Sequence, residues 1–361
     1  MAYEIDFIGT DKADKDYDAI AFRYYRPEEE RWIKCVYDGG TTDAGEALLK
    51  HLEDYYFADG RELDYVFCSH SDSDHAAGLK TILENVKVHH LVMNIPWLLT
   101  DILYERINDG RITIDSLEQR LREKYKFIDY LEKSAKKQGR IIIPGIVGAR
   151  IAPEMRILSP TVDFYFQCLV NSEKTTELES LIYGLFKQIP KTRCPSLKKA
   201  LWGIDAIREG EETSMENESS IILKITPECD SPFLLVGDAG CKGLSMAMDL
   251  ADSQGQPLNE CTFLQIPHHG GRHNVSPPLL DRLIGKKVSP NCLSGKTAFV
   301  SVGKNSYHPK KSVLNAFINR GCKVFISREN TIHHFTDGTL KRDWAPAKEE
   351  HFSEQVEEWY D

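Results

Sequence analysis

No uninterrupted apolar run of about 18 residues, the length a helix needs to cross a bilayer, occurs anywhere in the 361 residues. The opening MAYEIDFIGTDKADKDYD is acidic where a secretory leader would be basic and then apolar, so a cytoplasmic location is expected and no membrane partner is. The nine cysteines never fall as CxxC, and their odd number and wide scatter argue against a disulfide framework or a thiolate zinc site. They read instead as buried thiols in a reducing compartment. Three catalytic signatures are also missing: GxGxxG after a strand, GxxxxGK[ST], and the GxSxG nucleophile elbow. Their absence removes the usual sequence grounds for a dinucleotide enzyme, a P-loop nucleotidase or a serine hydrolase. Repeats and low-complexity segments are lacking too. Positive charge is in the minority, 45 Lys and Arg against 55 Asp and Glu, for a formal net charge of −10. That balance opposes non-specific adhesion to nucleic acid but leaves room for a local basic rim.

What is present is an ordinary globular text, 41 % apolar and 28 % charged. YEIDFIG, DAIAFRYY and RWIKCVYDGG read as three strands, the last closed by Asp38-Gly39-Gly40. TDAGEALLKHLEDYY then carries Ala44, Leu48, Leu49 and Leu52 on one helical face behind a Thr/Asp cap, and a strand follows near residues 63–68. Residues 96–138 turn helical, with Gly139 as the stop, and residues 161–211 form a second stretch expected to be largely helical. Strand text returns from residue 219 (SSIILKIT, PFLLVGDAG, TFLQIPHHGG, TAFVSVG, KVFISRE), with short helical spans between. Strands interleaved with helices in both halves predict an α/β fold of two stacked sheets flanked by helices. The two helical stretches read as insertions into one domain over residues 1–337, and residues 338–361 as an acidic tail that could dock on the body.

Chemistry concentrates where the strand near residue 68 ends. Residues 69–79 read SHSDSDHAAGL, so His70, Asp72, Asp74 and His75 fall within six positions. Imidazole nitrogens and carboxylate oxygens converging from one turn suit divalent cations, and four donors exceed what one ion easily uses, so two ions are expected. The bland alternative is a solvated loop whose Asp residues merely cap the next helix. Asp238 ends an apolar strand in LLVGDAG, and His268 and His269 follow another in PHHGGRHN, ahead of the flexible Gly270-Gly271. His308, in SVGKNSYHP, has Lys304 and Tyr307 nearby. A histidine there could hold a phosphate oxygen or pass a proton to a leaving group, and Lys304 with Lys310-Lys311 could form the basic rim a polyanion needs. His89, His90, His333 and His334 read as strand residues, His51 and His351 carry no assigned role, and His273 reads as a surface residue.

HxDxDH after a strand, followed by small residues and Gly78-Leu79, resembles the metal signature of the metallo-β-lactamase fold, usually HxHxDH. Asp72 stands where the second histidine normally is. Together with ILSP (157–160), NESSIIL (217–223), LLVGDAG, PHHGGRHN and SVGKNSYHP in that order, the chain is most similar to the ComEC-like, DNA-uptake hydrolase branch. The resemblance implies a four-layer αββα sandwich with two helical insertions, and a hydroxide activated by two divalent ions, zinc or manganese. Asp238 would bridge the ions. His70 and Asp72 would hold the first, with Asn217 or water where a third histidine is usual. Asp74, which also counts as a catalytic residue, would hold the second with His75 and one of His268 and His269, with a slight preference for His268. Oxygen-rich coordination favours manganese over zinc. The implied activity is that of a phosphodiesterase or nuclease acting on nucleic acid or a nucleotide, with His308 assisting. Hydrolysis of an ester, lactone or thioester at carbon is the alternative of the same fold, and a non-catalytic module in a larger complex is another.

Overall fold

The computed structural model describes residues 2–107, 113–172, 174–175, 196–228, 230–339 and 342–358. Sixteen strands are present among them. The first sheet takes β1 (Tyr3–Phe7), β2 (Ala19–Arg26), β3 (Arg31–Gly39), β4 (Glu62–Phe67), β5 (Lys87–Val92), β6 (Ile141–Ile143) and, far along the chain, β14 (Ile332–Phe335). The second takes β7 (Met155–Ser159), β9 (Ile222–Ile225), β10 (Phe233–Leu235), β11 (Phe263–Gln265), β12 (Thr297–Ser301), β13 (Lys323–Ser327) and β15 (Glu349–Glu350). A separate pair joins β8 (Leu197–Lys199) to β16 (Gln355–Glu357).

The spatial orders are β14-β1-β2-β3-β4-β5-β6 and β15-β13-β12-β11-β10-β9-β7. In the first sheet β1, β2 and β3 run antiparallel, whereas β3, β4, β5 and β6 are parallel. In the second, β10, β11, β12 and β13 are parallel. Parallel neighbours need crossovers, and the helices between them supply these. Three apolar clusters result. Phe7, Phe22, Tyr37, Phe67, Leu223, Phe233, Phe263 and Phe299 form one drawn from both sheets. A second joins the first sheet to the helices Thr42–Tyr55, Leu79–Asn85, Ile114–Lys124 and Lys126–Lys137. The third joins the second sheet to Cys241–Ser253, Pro277–Leu283 and Lys311–Ile318.

Local chemistry explains the elements around the site. Thr41 caps the helix Thr42–Tyr55 by accepting from the Ala44 N–H at 3.3 Å. Ala44, Leu48 and Leu52 are buried on that helix as its periodicity predicts, and Leu49 is only partly so. The small run Ala76-Ala77-Gly78 has a packing reason, since a Cβ at Gly78 would stand 1.9 Å from the Gly39 carbonyl oxygen and 2.6 Å from that of Thr41. Only glycine lets the loop after His75 lie against the end of β3.

Residues 96–138 contain the helices Thr100–Ile107, Ile114–Lys124 and Lys126–Lys137, and Gly139 ends the last with a φ of +65°. The second expected helical stretch differs. Val162–Asn171 is helical, but among its later described residues Leu197–Lys199 is a strand and residues 200–211 are turns and coil. Residues 176–195 lie outside the described residues. β8 forms because its edge is completed by β16, which comes from the far end of the chain (Leu197 pairs with Glu357), a match that no local pattern announces.

The segment after residue 337 also supplies β15 to the second sheet, and its Arg342 reaches buried Glu4 and Asp6 at 3.0 and 2.8 Å. His333 bonds the same Asp6 carboxylate at 2.7 Å and His51 Nε2 approaches it to 3.0 Å, which gives both a structural task. No helix among the described residues is long and apolar enough to cross a membrane. The seven cysteines among them are free, six buried or partly buried and Cys292 exposed.

Candidate metal centre

Strand polarity builds the site. The carboxyl ends of β3, β4, β10, β11 and β12 deliver Asp38, the His70 to His75 cluster, Asp238, the His268-His269 pair and His308 in turn. Clefts beyond the carboxyl ends of parallel strands are where loops are free to carry chemistry. β2 runs antiparallel to β3, so its amino end lies on the same side and brings Asp16 and Asp18.

At the centre stands Asp238, almost fully buried. Its Oδ1 is 3.2 Å from His75 Nε2, and its Oδ2 is 4.0 Å from His70 Nε2 and 3.8 Å from His268 Nε2. Asp72 Oδ2 lies 3.7 Å from His70 Nε2, and Asp74 Oδ2 lies 3.6 Å from His269 Nε2. Asp18, His75, Asp238 and His269 each present one donor atom within 4.8 Å of the others. Seven residues singled out in the sequence, His70, Asp72, Asp74, His75, Asp238, His268 and His269, thus meet at one place.

Backbone geometry decides which of the two neighbouring histidines faces Asp74. His268 and His269 both have left-handed φ, 47° and 53°, a conformation that costs a non-glycine residue about 1 kcal/mol or more. The turn it makes sends His269 inward to Asp74 and His75, whereas His268 points to the other oxygen of Asp238. The sequence-based preference was the reverse, because distance from the strand end says nothing about the direction of a side chain after a left-handed turn. Asp72 stands at the N-cap of Ser73–Ala76 but makes no capping bond; its oxygens go to His70 and to Lys174 instead.

A second ring of bonds fixes the imidazoles. Asp38 Oδ2 lies 2.8 Å from His75 Nδ1 and accepts from Ser69 Oγ at 2.6 Å, while Oδ1 accepts from the Ser69 N–H at 2.7 Å. His269 Nδ1 donates to the Ser301 carbonyl at 3.1 Å, and His70 Nδ1 meets Ser69 Oγ at 3.0 Å. His268 Nδ1 lies 2.8 Å from Asn274 Oδ1. An Nδ1–H held by a carboxylate or carbonyl leaves the Nε2 lone pair pointing inward, as metal-binding histidines require. Among the described residues, the buried His70 Nε2, His75 Nε2, His269 Nε2 and Asp238 Oδ1 make no hydrogen bond. Buried polar atoms left so in one cluster fit a cation as their partner.

The electrostatics agree. Burial pushes the Asp18 carboxyl up to about 6 against the pull of His269 and His75. Burial alone would lower the His269 imidazole, yet Asp238, Asp74 and Asp18 raise it to about 10. His75 is likewise held well above the usual imidazole range, because Asp238 and Asp38 outweigh its burial. Carboxylates crowded this closely need positive charge among them.

The remaining sequence candidates sit at the margin. Asn217 donates its amide to Thr213 Oγ1 at 2.8 Å, and the same nitrogen lies 3.1 Å from His268 Nδ1, so it packs beside His268 at the edge of the cluster. His308 Nδ1 bonds Asp16 Oδ2 at 2.8 Å, and its ring centre is 6.3 Å from that of His268. Lys304 pairs with Glu329 at 3.2 Å, and Tyr307 is 79 % exposed. Four acting residues escape a sequence reading: Asp16, Asp18, Asp38 and Lys174. The available signal was the run of alternating aspartates before β2 and the aspartate of DGG, which reads as turn chemistry.

Residues 25–97 match the metallo-beta-lactamase superfamily. The matched stretch runs from the end of β2 through β5 and contains Asp38 and the His70 to His75 cluster. Members of that superfamily are generally hydrolases that bind divalent metals, and the chain carries a candidate cluster for one. No curated protein matches the chain.

Proposed function

We propose that the chain is a two-metal hydrolase of phosphodiesters, with a nucleic acid or a nucleotide as substrate. One observation carries this reading. Asp238 turns Oδ2 toward His70 and His268 and Oδ1 toward His75; Asp72 joins the first group against His70, while Asp18 and His269 cluster with His75 and Asp238, and Asp74 lies against His269. A carboxylate between two such sets suits a bridging ligand. Oxygen donors in each set favour manganese over zinc. Bound ions would lower the pKa of a shared water and neutralise charge developing on the reacting oxygens. One apolar cluster between the two sheets and one between each sheet and its helices support the αββα layering.

The protein's own groups do the rest. Burial pulls the His308 imidazole below its ordinary range, against the opposing effect of Asp16 beside it. With its Nδ1–H held by Asp16, His308 keeps the Nε2 lone pair to accept the proton of the attacking water, and the leaving oxygen takes its proton from solvent. Asp16 is therefore a positioning residue. The test is turnover of bis(p-nitrophenyl) phosphate, single-stranded DNA, RNA and cyclic nucleotides with added manganese or zinc. Asp74→Asn and Asp238→Asn should each fall to the level of the metal-free blank; activity that survives both substitutions refutes the reading.

A further inference from the structure

Asp72 divides its two oxygens between His70 and Lys174. Its Oδ2 faces His70, while Oδ1 accepts from Lys174 Nζ at 2.6 Å, and the same ammonium reaches Ser71 Oγ at 2.9 Å. Lys174 follows the helix Val162–Asn171, and its ammonium lies 5.1 Å from the centre of the Tyr125 ring. The backbone leading to it is pinned, for Ser172 Oγ meets Tyr125 Oη at 3.0 Å and donates to Glu216 Oε1 at 2.7 Å. Among the described residues, Lys174 alone of the lysines and arginines forms an ion pair with Asp18, Asp72, Asp74 or Asp238. Among the described residues the other donor set has no such companion, and it gains a further carboxylate, Asp18.

We infer that Lys174 sets the order in which two divalent ions load: the position bounded by Asp74, His75, Asp238 and His269 fills first, and the His70-Asp72 position fills weakly. This rests on the two-metal reading above. The physical reason is like-charge repulsion across one carboxylate. An ammonium on Oδ1 withdraws part of the negative charge that an ion on Oδ2 would use, and it repels that ion directly. Lys174 touches no reacting atom, so it acts as a positioning residue that governs ion stoichiometry. At low ion concentrations the protein would carry one ion, and full loading would follow the ambient supply.

Equilibrium dialysis and calorimetric titration with manganese chloride test this directly. Wild-type protein should bind two ions with dissociation constants about tenfold or more apart, the separation expected from a unit charge acting on a divalent ion at this range. Lys174→Met should tighten the weaker constant by about tenfold or more and leave the tighter within about threefold, whereas Lys174→Arg should match wild type. If Lys174→Met fails to fold, Lys174→Gln carries the same expectation. Two unequal constants that Lys174→Met leaves unchanged, or a shift confined to the tighter one, overturn the inference and leave the hydrolase reading standing. Wild-type protein that binds no divalent ion overturns both.

Discussion

Asp38→Asn is the sharpest probe of how the fold prepares the centre. Asp38 is fully buried, and its two oxygens serve the Ser69 N–H at 2.7 Å, Ser69 Oγ at 2.6 Å and His75 Nδ1 at 2.8 Å. Asparagine keeps the size and one acceptor, and that acceptor stays with the Ser69 N–H. The amide NH2 then faces His75 Nδ1 and Ser69 Oγ. The hydroxyl can turn to accept, but an Nδ1–H cannot face an N–H, so His75 must move its proton to Nε2. Protonated Nε2 offers no lone pair to an ion. Loss of such supporting contacts weakens metal affinity about 10- to 100-fold, which is about 1.4 to 2.7 kcal/mol. Manganese titration of the purified variant reads this, with circular dichroism as the folding control. A folded Asp38→Asn protein that binds manganese as tightly as wild type would refute the claim that Asp38 fixes the His75 tautomer.

Two further expectations concern stability. Gly78→Ala places a Cβ 1.9 Å from the Gly39 carbonyl oxygen, and since the neighbours are backbone they cannot swing aside; urea unfolding should show a loss of about 3 kcal/mol with an unchanged m-value, and a loss under 1 kcal/mol would contradict the packing described. Burial and the adjacent His333 push His334 down to about 4, from about 6.5 in the unfolded chain. The unfolded chain therefore binds the extra proton between those values, so stability falls by about 3 kcal/mol as pH drops through that window, with no further loss from this group below it. His334→Phe, whose ring can pack on Phe263 at a site where the centroids are 4.8 Å apart, should remove that part of the pH dependence. Equal differences between variant and wild type at pH 7 and pH 4.5 would dispose of the idea.

His70, Asp72, Asp74 and His75 are legible in the sequence because a strand end delivers neighbouring residues to a fixed point, so spacing along the chain approximates spacing in space. Asp238 and the His268-His269 pair are legible for the same reason, each following its own apolar strand. Their meeting could be stated only by resemblance, since nothing in a sequence measures distance between strand ends. Tertiary structure alone decided that His269 rather than His268 meets Asp74, because the left-handed backbone at both residues sets where each ring points. It alone also brought Asp16 and Asp18 across from the amino end of β2, paired β8 with β16, and set Lys174 on Asp72. Hydrophobic patterning records how a segment lies on its nearest neighbours, a local property written into the order of residues. Which distant carboxylate, amine or imidazole faces a given atom depends on the handedness of turns and the stacking of sheets, and only the folded chain sums those choices.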